Sequence, residues 1–203
     1  MQKAVVGMVS AKPNNVGTAD PGELTDELVK EVYARFGLAV YCAQLVEFEL
    51  VSLLLLLARF EKRELTPGEL DDLDRCLSKD TLGVLVKKLK GHVSGAKVEI
   101  KDREGKTVET LELTECLQAA LEKRNYLTHR FFSVNAKKMV TARGCHELIE
   151  ELAGVSDGLR EADFLATSLS RLIRKRLGIP EELVQSVARA EMDRARGVDV
   201  GHS

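Results

Sequence analysis

The sequence predicts an all-α protein, a helical bundle interrupted by one small β-hairpin. Three observations carry that prediction. The 203-residue chain is rich in Leu, Glu, Lys, Arg and Ala, which lose little on entering a helix, while aromatics make up only 4% and Trp is missing. Leucines recur at three- and four-residue steps over long stretches, the spacing of one helix face. Helix start and stop signals bracket those stretches, and only one segment switches to the two-residue alternation of a strand.

Length and composition set the frame. At 44% apolar and 31% charged the chain is too hydrophobic for a disordered polymer, and 203 residues suffice for one domain with modest extensions. Residues 1–19 read as a loose N-terminal tail, 20–178 as the bundle, and 179–203 as a last helix with a fraying end. The short apolar run near the N-terminus follows a single Lys and is not expected to act as a secretory leader.

Taken in order, Asp20-Pro21-Gly22-Glu23 reads as a helix start, with a capping Asp, Pro at the first helical position and a carboxylate after it. Leu24, Leu28, Val32 and Phe36 follow at helical spacing, and the helix is expected to bend at Gly37 and continue to about Arg63. Apolar residues surround its second half on every side, which predicts the most buried element. Thr66-Pro67-Gly68-Glu69 repeats the start signal, and Leu70, Leu73 and Leu77 then line a shorter helix. After a break at Ser78 to Thr81, Leu82, Leu85, Val86 and Leu89 mark another, ending at Gly91.

The period changes over residues 97–110. Val98 and Ile100 alternate with charges, Asp102-Arg103-Glu104-Gly105 reads as a turn, and Val108 alternates again. Helical spacing resumes at Thr114, expected as a cap, and runs through Leu117, Ala120 and Leu121 toward Phe131-Phe132. A break near Ser133 to Asn135 separates this from a long helix between about Thr141 and Leu177, on which Leu148, Leu152, Val155, Leu159, Ala162, Leu165, Leu169 and Leu172 form the core stripe. Gly178 should stop it, and Glu182 to Arg196 should form the last helix. Two long spans, expected to run antiparallel, thus enclose shorter helices.

Several function classes recede at this stage. Residues 36–58 are long enough to cross a bilayer, where about 20 apolar residues suffice. Glu47 and Glu49 fall near the middle of that stretch, at about 2.5–3.5 kcal/mol each, so a central bundle helix is the expectation and no membrane partner is. Cys42, Cys76, Cys116 and Cys145 lie far apart without CxxC pairing, as expected of free thiols in a cytoplasmic protein. Cys145 and His146 are helix neighbours pointing about 100° apart, with no companion ligands at metal spacing, so neither a metal nor another cofactor is expected. No Ser or Cys stands in a nucleophile motif and no Gly-rich phosphate loop occurs.

Charge is less evenly spread than the formal net value of −2 suggests. Between residues 121 and 143 stand Lys123, Arg124, Arg130, Lys137, Lys138 and Arg143 against Glu122 alone. Such an island is either a solvated face or a local attractor for a polyanion. Inside it lies Arg124-Asn125-Tyr126-Leu127-Thr128-His129. Asn125 and His129 are four apart and share a helix face; Arg124 and His129 are five apart, about 140° around an ideal helix. A helix bend or a second molecule would be needed to join them. Imidazole exchanges protons near neutral pH and guanidinium matches phosphate oxygens, the two capacities that RNA cleavage by its own 2′-hydroxyl requires. On spacing alone an ordinary satisfied His is the commoner reading, since a single His near a helix end is usually that and Arg-x4-His arises by chance in many proteins. Glu47 or Glu49, carboxylates on an apolar helix, are expected either to pair with a basic residue of the motif helix, Arg124 foremost, or to face solvent at a helix edge.

The segment from Leu121 to Phe132, with Arg124, Asn125, three further residues and His129, resembles the motif of HEPN domains. The order of parts is similar as well, a long apolar helix, the motif helix and a further long helix. The resemblance implies a HEPN-like helical bundle that dimerises so that two motifs face one cleft, and a metal-independent endoribonuclease of the toxin or anti-phage kind. It assigns acid/base work to His129, phosphate binding to Arg124 and orientation to Asn125, with Tyr126, Arg130 and Lys123 toward the substrate. RNA, a second copy of the chain, and an antitoxin or nucleotidyltransferase are the partners it implies. The alternative is a non-catalytic helical dimer that binds RNA or protein, as some members of the family do. The hairpin and the last helix lie outside the motif's pattern.

Overall fold

Thr25 opens the first helix. Its backbone is extended (φ −112°, ψ 155°), its hydroxyl accepts the Leu28 amide at 3.2 Å, and Asp26 and Glu27 bring negative charge to the first turn. The computed structural model describes residues 22–62, 65–93, 97–101, 107–186 and 189. Helix α1 (Asp26–Glu61) therefore starts beyond the expected Asp20–Glu23 signal. Gly22 and Glu23 lie in a turn and a bend, while Asp20 and Pro21 fall outside the described residues. The run Thr25-Asp26-Glu27 supplies both an amide acceptor and dipole-matching carboxylates, which is why it prevails. The helix passes Gly37 without a break.

Helix α2 (Pro67–Leu77) carries the expected reciprocal cap, in which Thr66 Oγ1 accepts the Glu69 amide and Glu69 Oε2 accepts the Thr66 amide at 2.8 Å. Helix α3 (Leu82–Val93) runs past Gly91 because Val93 is itself buried. Strands β1 (Lys97–Lys101) and β2 (Thr107–Glu112) pair antiparallel, with Val98 opposite Leu111 and a register shift at Ile100/Lys101. The expected turn at Asp102–Gly105 lies outside the described residues.

Helix α4 (Leu113–His129) springs directly from β2. Thr114 is not its cap. It sits inside the first turn and its hydroxyl bonds Glu112 at 3.2 Å, while Leu113, wholly buried, draws the helix start into the core. The chain breaks at Arg130 (φ −130°, ψ −27°), earlier than expected, and resumes as α5 (Phe131–Asn135), whose two ends are both buried. A 3₁₀ turn (Lys138–Val140) leads to α6 (Ala142–Arg176), capped by Thr141, whose hydroxyl accepts the Gly144 amide at 3.1 Å. Gly178 ends it in the left-handed region (φ 70°). The Gly178 amide returns to Lys175 and the Ile179 amide to Arg174, the double bond of a Schellman cap. Residues 181–186 are helical again; residue 189 apart, the rest of the expected last helix lies outside the described residues.

Packing corrects the expected direction of the long helices. Glu49 on α1 meets Ser170 on α6, and Arg59 and Phe60 share a cavity with Arg176 and Leu177, so the two run the same way. Helix α4 runs against α1, with Arg124 beside Glu47 and Phe131-Phe132 beside Phe36. It also opposes α3, with Leu121 over Gly83 and Gln118 bonded to Lys90. The core stripe of α6 is buried at Leu148, Leu152, Leu159, Ala162 and Leu165, but Leu172 faces outward and Ile173 takes its place. The second half of α1 is not buried all round, since Phe48 is 71% exposed and Tyr41 56%. By length and composition α1 could cross a membrane; one flank of it, from Val32 to Leu57, is core.

Candidate functional site

Antiparallel packing of α4 on α1 decides where the motif's side chains go. Residues 124 and 128 turn toward α1, Leu127 enters the core, Tyr126 turns toward α5 and α6, and Asn125 and His129 face solvent. The pairing expected for Arg124 is present, its Nε donating to Glu47 Oε1 at 3.2 Å. Its Nη1 donates to Asn125 Oδ1 at 3.4 Å, which leaves other guanidinium N–H groups without a partner among the described residues. Arg124 and Glu47 stand at a cleft of about 230 Å³ between α1 and α4, together with Val40, Gln44 and Thr128. The Thr128 hydroxyl donates back to the Arg124 carbonyl at 2.8 Å.

His129 closes α4. Its imidazole is exposed and has no hydrogen-bond partner among the described residues, and neither Arg124 nor Asn125 of the same chain bonds to it. The structure thus joins Arg124 to Asn125 and to Glu47, while His129, exposed at the end of the same helix, bonds none of them.

The remaining candidates are placed differently. Tyr126, expected toward the substrate, does not line the cleft with Arg124. Its hydroxyl donates to Glu151 and accepts from Asn135 Nδ2 at 2.6 Å, and its ring meets Phe131 edge-on at 5.8 Å. Burial, then the bond to Glu151, holds the phenol above its ordinary value of 10.0, against the pull of Asn135 and Arg130. Asn135 is buried, so this chain of bonds ties the end of α4 and α5 to α6. Lys138 extends it, at 3.8 Å from Glu151 and 3.6 Å from Glu147. Lys123 lies across α6, its Cε within 2.6 Å of where a methyl on Gly158 would stand. Arg130 is exposed at the helix break.

Half of the basic island is therefore neutralised. Arg124, Lys138 and Arg143 have carboxylate partners, whereas Lys123, Arg130 and Lys137 have no ion-pair partner among the described residues. Glu49, the other carboxylate of interest, does not reach α4. It accepts from Ser170 on α6. Sequence reasoning missed Glu151 and Asn135 as the fixtures of Tyr126, and no local spacing announces them. It also passed over Tyr33 and Phe132, which lie 5.8 Å apart and are both exposed. Their signal was present, since Phe132 follows the motif at once and Tyr33 stands two turns before Val40 on α1. Among the described residues no three His, Cys, Asp or Glu side chains cluster as metal ligands.

The chain matches no known family model, no curated protein and no solved structure.

Proposed function

We propose that the protein is a metal-independent endoribonuclease of the HEPN kind, acting in the cytoplasm as a homodimer in toxin or anti-phage defence. One observation carries the reading: His129 is open to solvent and without a hydrogen-bond partner among the described residues, on the same exposed face as Asn125 and five residues along α4 from an Arg124 already oriented by Glu47. An imidazole buried in the core could not serve RNA.

The chemistry follows from those groups. One His129 takes the proton of an RNA 2′-hydroxyl, and the freed oxygen attacks the adjacent phosphorus. The bond to the 5′-oxygen breaks, and a protonated imidazole returns a proton to that leaving group. Arg124 offers its uncommitted N–H groups to the charge that builds on the phosphorane oxygens. The products carry a 2′,3′-cyclic phosphate and a free 5′-hydroxyl. Arg124 and His129 of one chain do not touch, so two copies are needed for each guanidinium to face its partner's imidazole. Tyr41 and Phe48, exposed on α1 beside the cleft, supply an apolar flank on which a second copy can pack.

The test is cleavage of structured and unstructured RNA in EDTA by the wild type, His129→Ala and Arg124→Ala. Cyclic phosphate ends that vanish in both variants are the expected result, as is growth arrest on expression relieved by His129→Ala. Equal behaviour of all three proteins would replace this reading with a non-catalytic helical dimer. The tie of Arg124 to Glu47, which spends part of its charge, is the observation that favours that second reading. An antitoxin or a nucleotidyltransferase would be the protein partner in the first case.

A further inference from the structure

Aromatic side chains are scarce in this chain, six Phe and three Tyr, yet five of them gather at the end of the motif helix. Phe131 is fully buried, Phe36 and Tyr126 are half-buried, and they account for packing. Tyr33 and Phe132 are different. Tyr33 is 52% exposed and Phe132 40%, with Phe132 resting on Phe36 at 4.7 Å and Tyr33 beside it at 5.8 Å. A core would hide such rings, so the arrangement is a supported aromatic surface that faces water.

Its position relative to the cleft gives it meaning. Tyr33, Val40 and Glu47 are seven residues apart on α1, which puts them in one line along the helix. On the opposite wall Arg124, Thr128 and Phe132 follow at four-residue steps, the first two on α4 and the last just past the break at Arg130. The cleft that Arg124 and Glu47 line reaches Val40 and Thr128, and the touching rings of Tyr33 and Phe132 lie further along the same two rows. The span is about 20 Å along α1 from Glu47 to Tyr33, at 1.5 Å per residue. Arg130, two residues before Phe132 in the chain, is exposed and without an ion-pair partner among the described residues. Unpaired nucleic acid is recognised by this combination of cations for phosphates and π-faces for splayed-out bases.

We propose that Tyr33 and Phe132 form a base-stacking subsite that holds an unpaired nucleotide a few residues from the phosphate at Arg124. The subsite rests on the ribonuclease reading above and makes the substrate a single strand or loop. Duplex RNA, whose bases are stacked on one another, cannot offer a free base to the rings.

The experiment measures binding by full-length His129→Ala protein, so that the probe survives. Probes are a labelled unstructured oligoribonucleotide, the same strand with abasic positions, and its duplex. Tyr33→Phe keeps the ring and should keep affinity. Tyr33→Leu keeps bulk without the π-face and should weaken single-strand binding at least about fivefold. That loss should shrink on the abasic strand, and the duplex should bind weakly to every protein. Phe132→Leu in the same background should repeat the effect. Equal affinity of Tyr33→Leu and wild-type rings, or duplex bound as tightly as single strand, overturns the subsite. So does a change of solution mass in Tyr33→Leu, which would show the rings to be covered by a second copy. If a protein with His129 intact cuts RNA while Tyr33→Leu changes nothing, the subsite falls and the nuclease stands. If no RNA is bound or cut at all, both fall.

Discussion

Glu49 sits where a charge is costly. Burial raises its carboxyl above the ordinary 4.5, and nearby Asp163 adds to that, while the Ser170 hydroxyl, Arg174 and Arg171 oppose it. A carboxyl raised in the folded state keeps its proton longer folded than unfolded, so its contribution to stability is complete below 4.5. That contribution is lost as pH rises through the folded value. Glu49→Gln retains an oxygen for Ser170 and cannot ionise. Its melting temperature should gain on the wild type between acid and neutral pH, and a difference constant across that range would refute the assignment. Tyr126 makes a second case. Tyr126→Phe leaves Asn135, 4% exposed, without its acceptor and Glu151 without its donor, at roughly 1–3 kcal/mol by chemical denaturation. A loss below a few tenths of that range would mean that water replaces the hydroxyl. The two residues also show what single positions reveal in advance. The partner of Glu47 was one of two outcomes open in the sequence, because a carboxylate on an apolar helix needs either a partner or solvent and a basic stretch stood ready. The partners of Tyr126 lie nine and twenty-five residues away, and no rule of local spacing selects them.

At the scale of elements, the joint between the 3₁₀ turn and α6 depends on one missing methyl. A Cβ on Gly144 would lie 2.2 Å from the Lys138 carbonyl oxygen and 2.6 Å from its Cα, and backbone cannot swing aside as a side chain would. Gly144→Ala should cost about 1–3 kcal/mol or more and shift the Lys138 pairing with Glu147 and Glu151. Gly37, in the interior of α1 with nothing within 4 Å, is the control; Gly37→Ala should stabilise by about 0.5–1 kcal/mol. Urea titration of both checks the pair, and a Gly144→Ala as stable as wild type would mean that the turn is free to move. Element boundaries set by local chemistry were legible at Thr66 with Glu69, at Thr141 and at Gly178, though at α1 the Thr25 cap was passed over for the earlier Asp20-Pro21 signal. They were misplaced where burial sets them. Leu113 pulls the start of α4 ahead of Thr114, and Phe131 and Asn135 turn inward to force the break at Arg130.

For the whole molecule, composition and leucine spacing were enough to foresee an all-α architecture, since every long segment favours a helix and buries one stripe. The shared direction of α1 and α6 was not foreseeable, because direction follows from how the intervening short helices return the chain, and their caps say nothing of angle. The outer flank of α1 is a second feature that local spacing does not set. An apolar row that includes Leu38, Tyr41 and Phe48 remains in water on a single chain, with Phe48 the most open. Scattered exposed rings need no explanation, but a row along one helix bordering a cleft is the form of an interaction face. If that face joins two copies, Tyr41→Glu with Phe48→Glu should convert a dimer to a monomer by light scattering. The monomer should still unfold cooperatively, since neither ring is in the core, with a melting temperature that no longer depends on protein concentration. RNA cleavage should then fall as far as it does in His129→Ala, because each Arg124 would lose the imidazole opposite. Full cleavage by a demonstrated monomer would mean that one chain brings guanidinium and imidazole together by itself. That would require the break at Arg130 to bend by enough to carry His129 around α4.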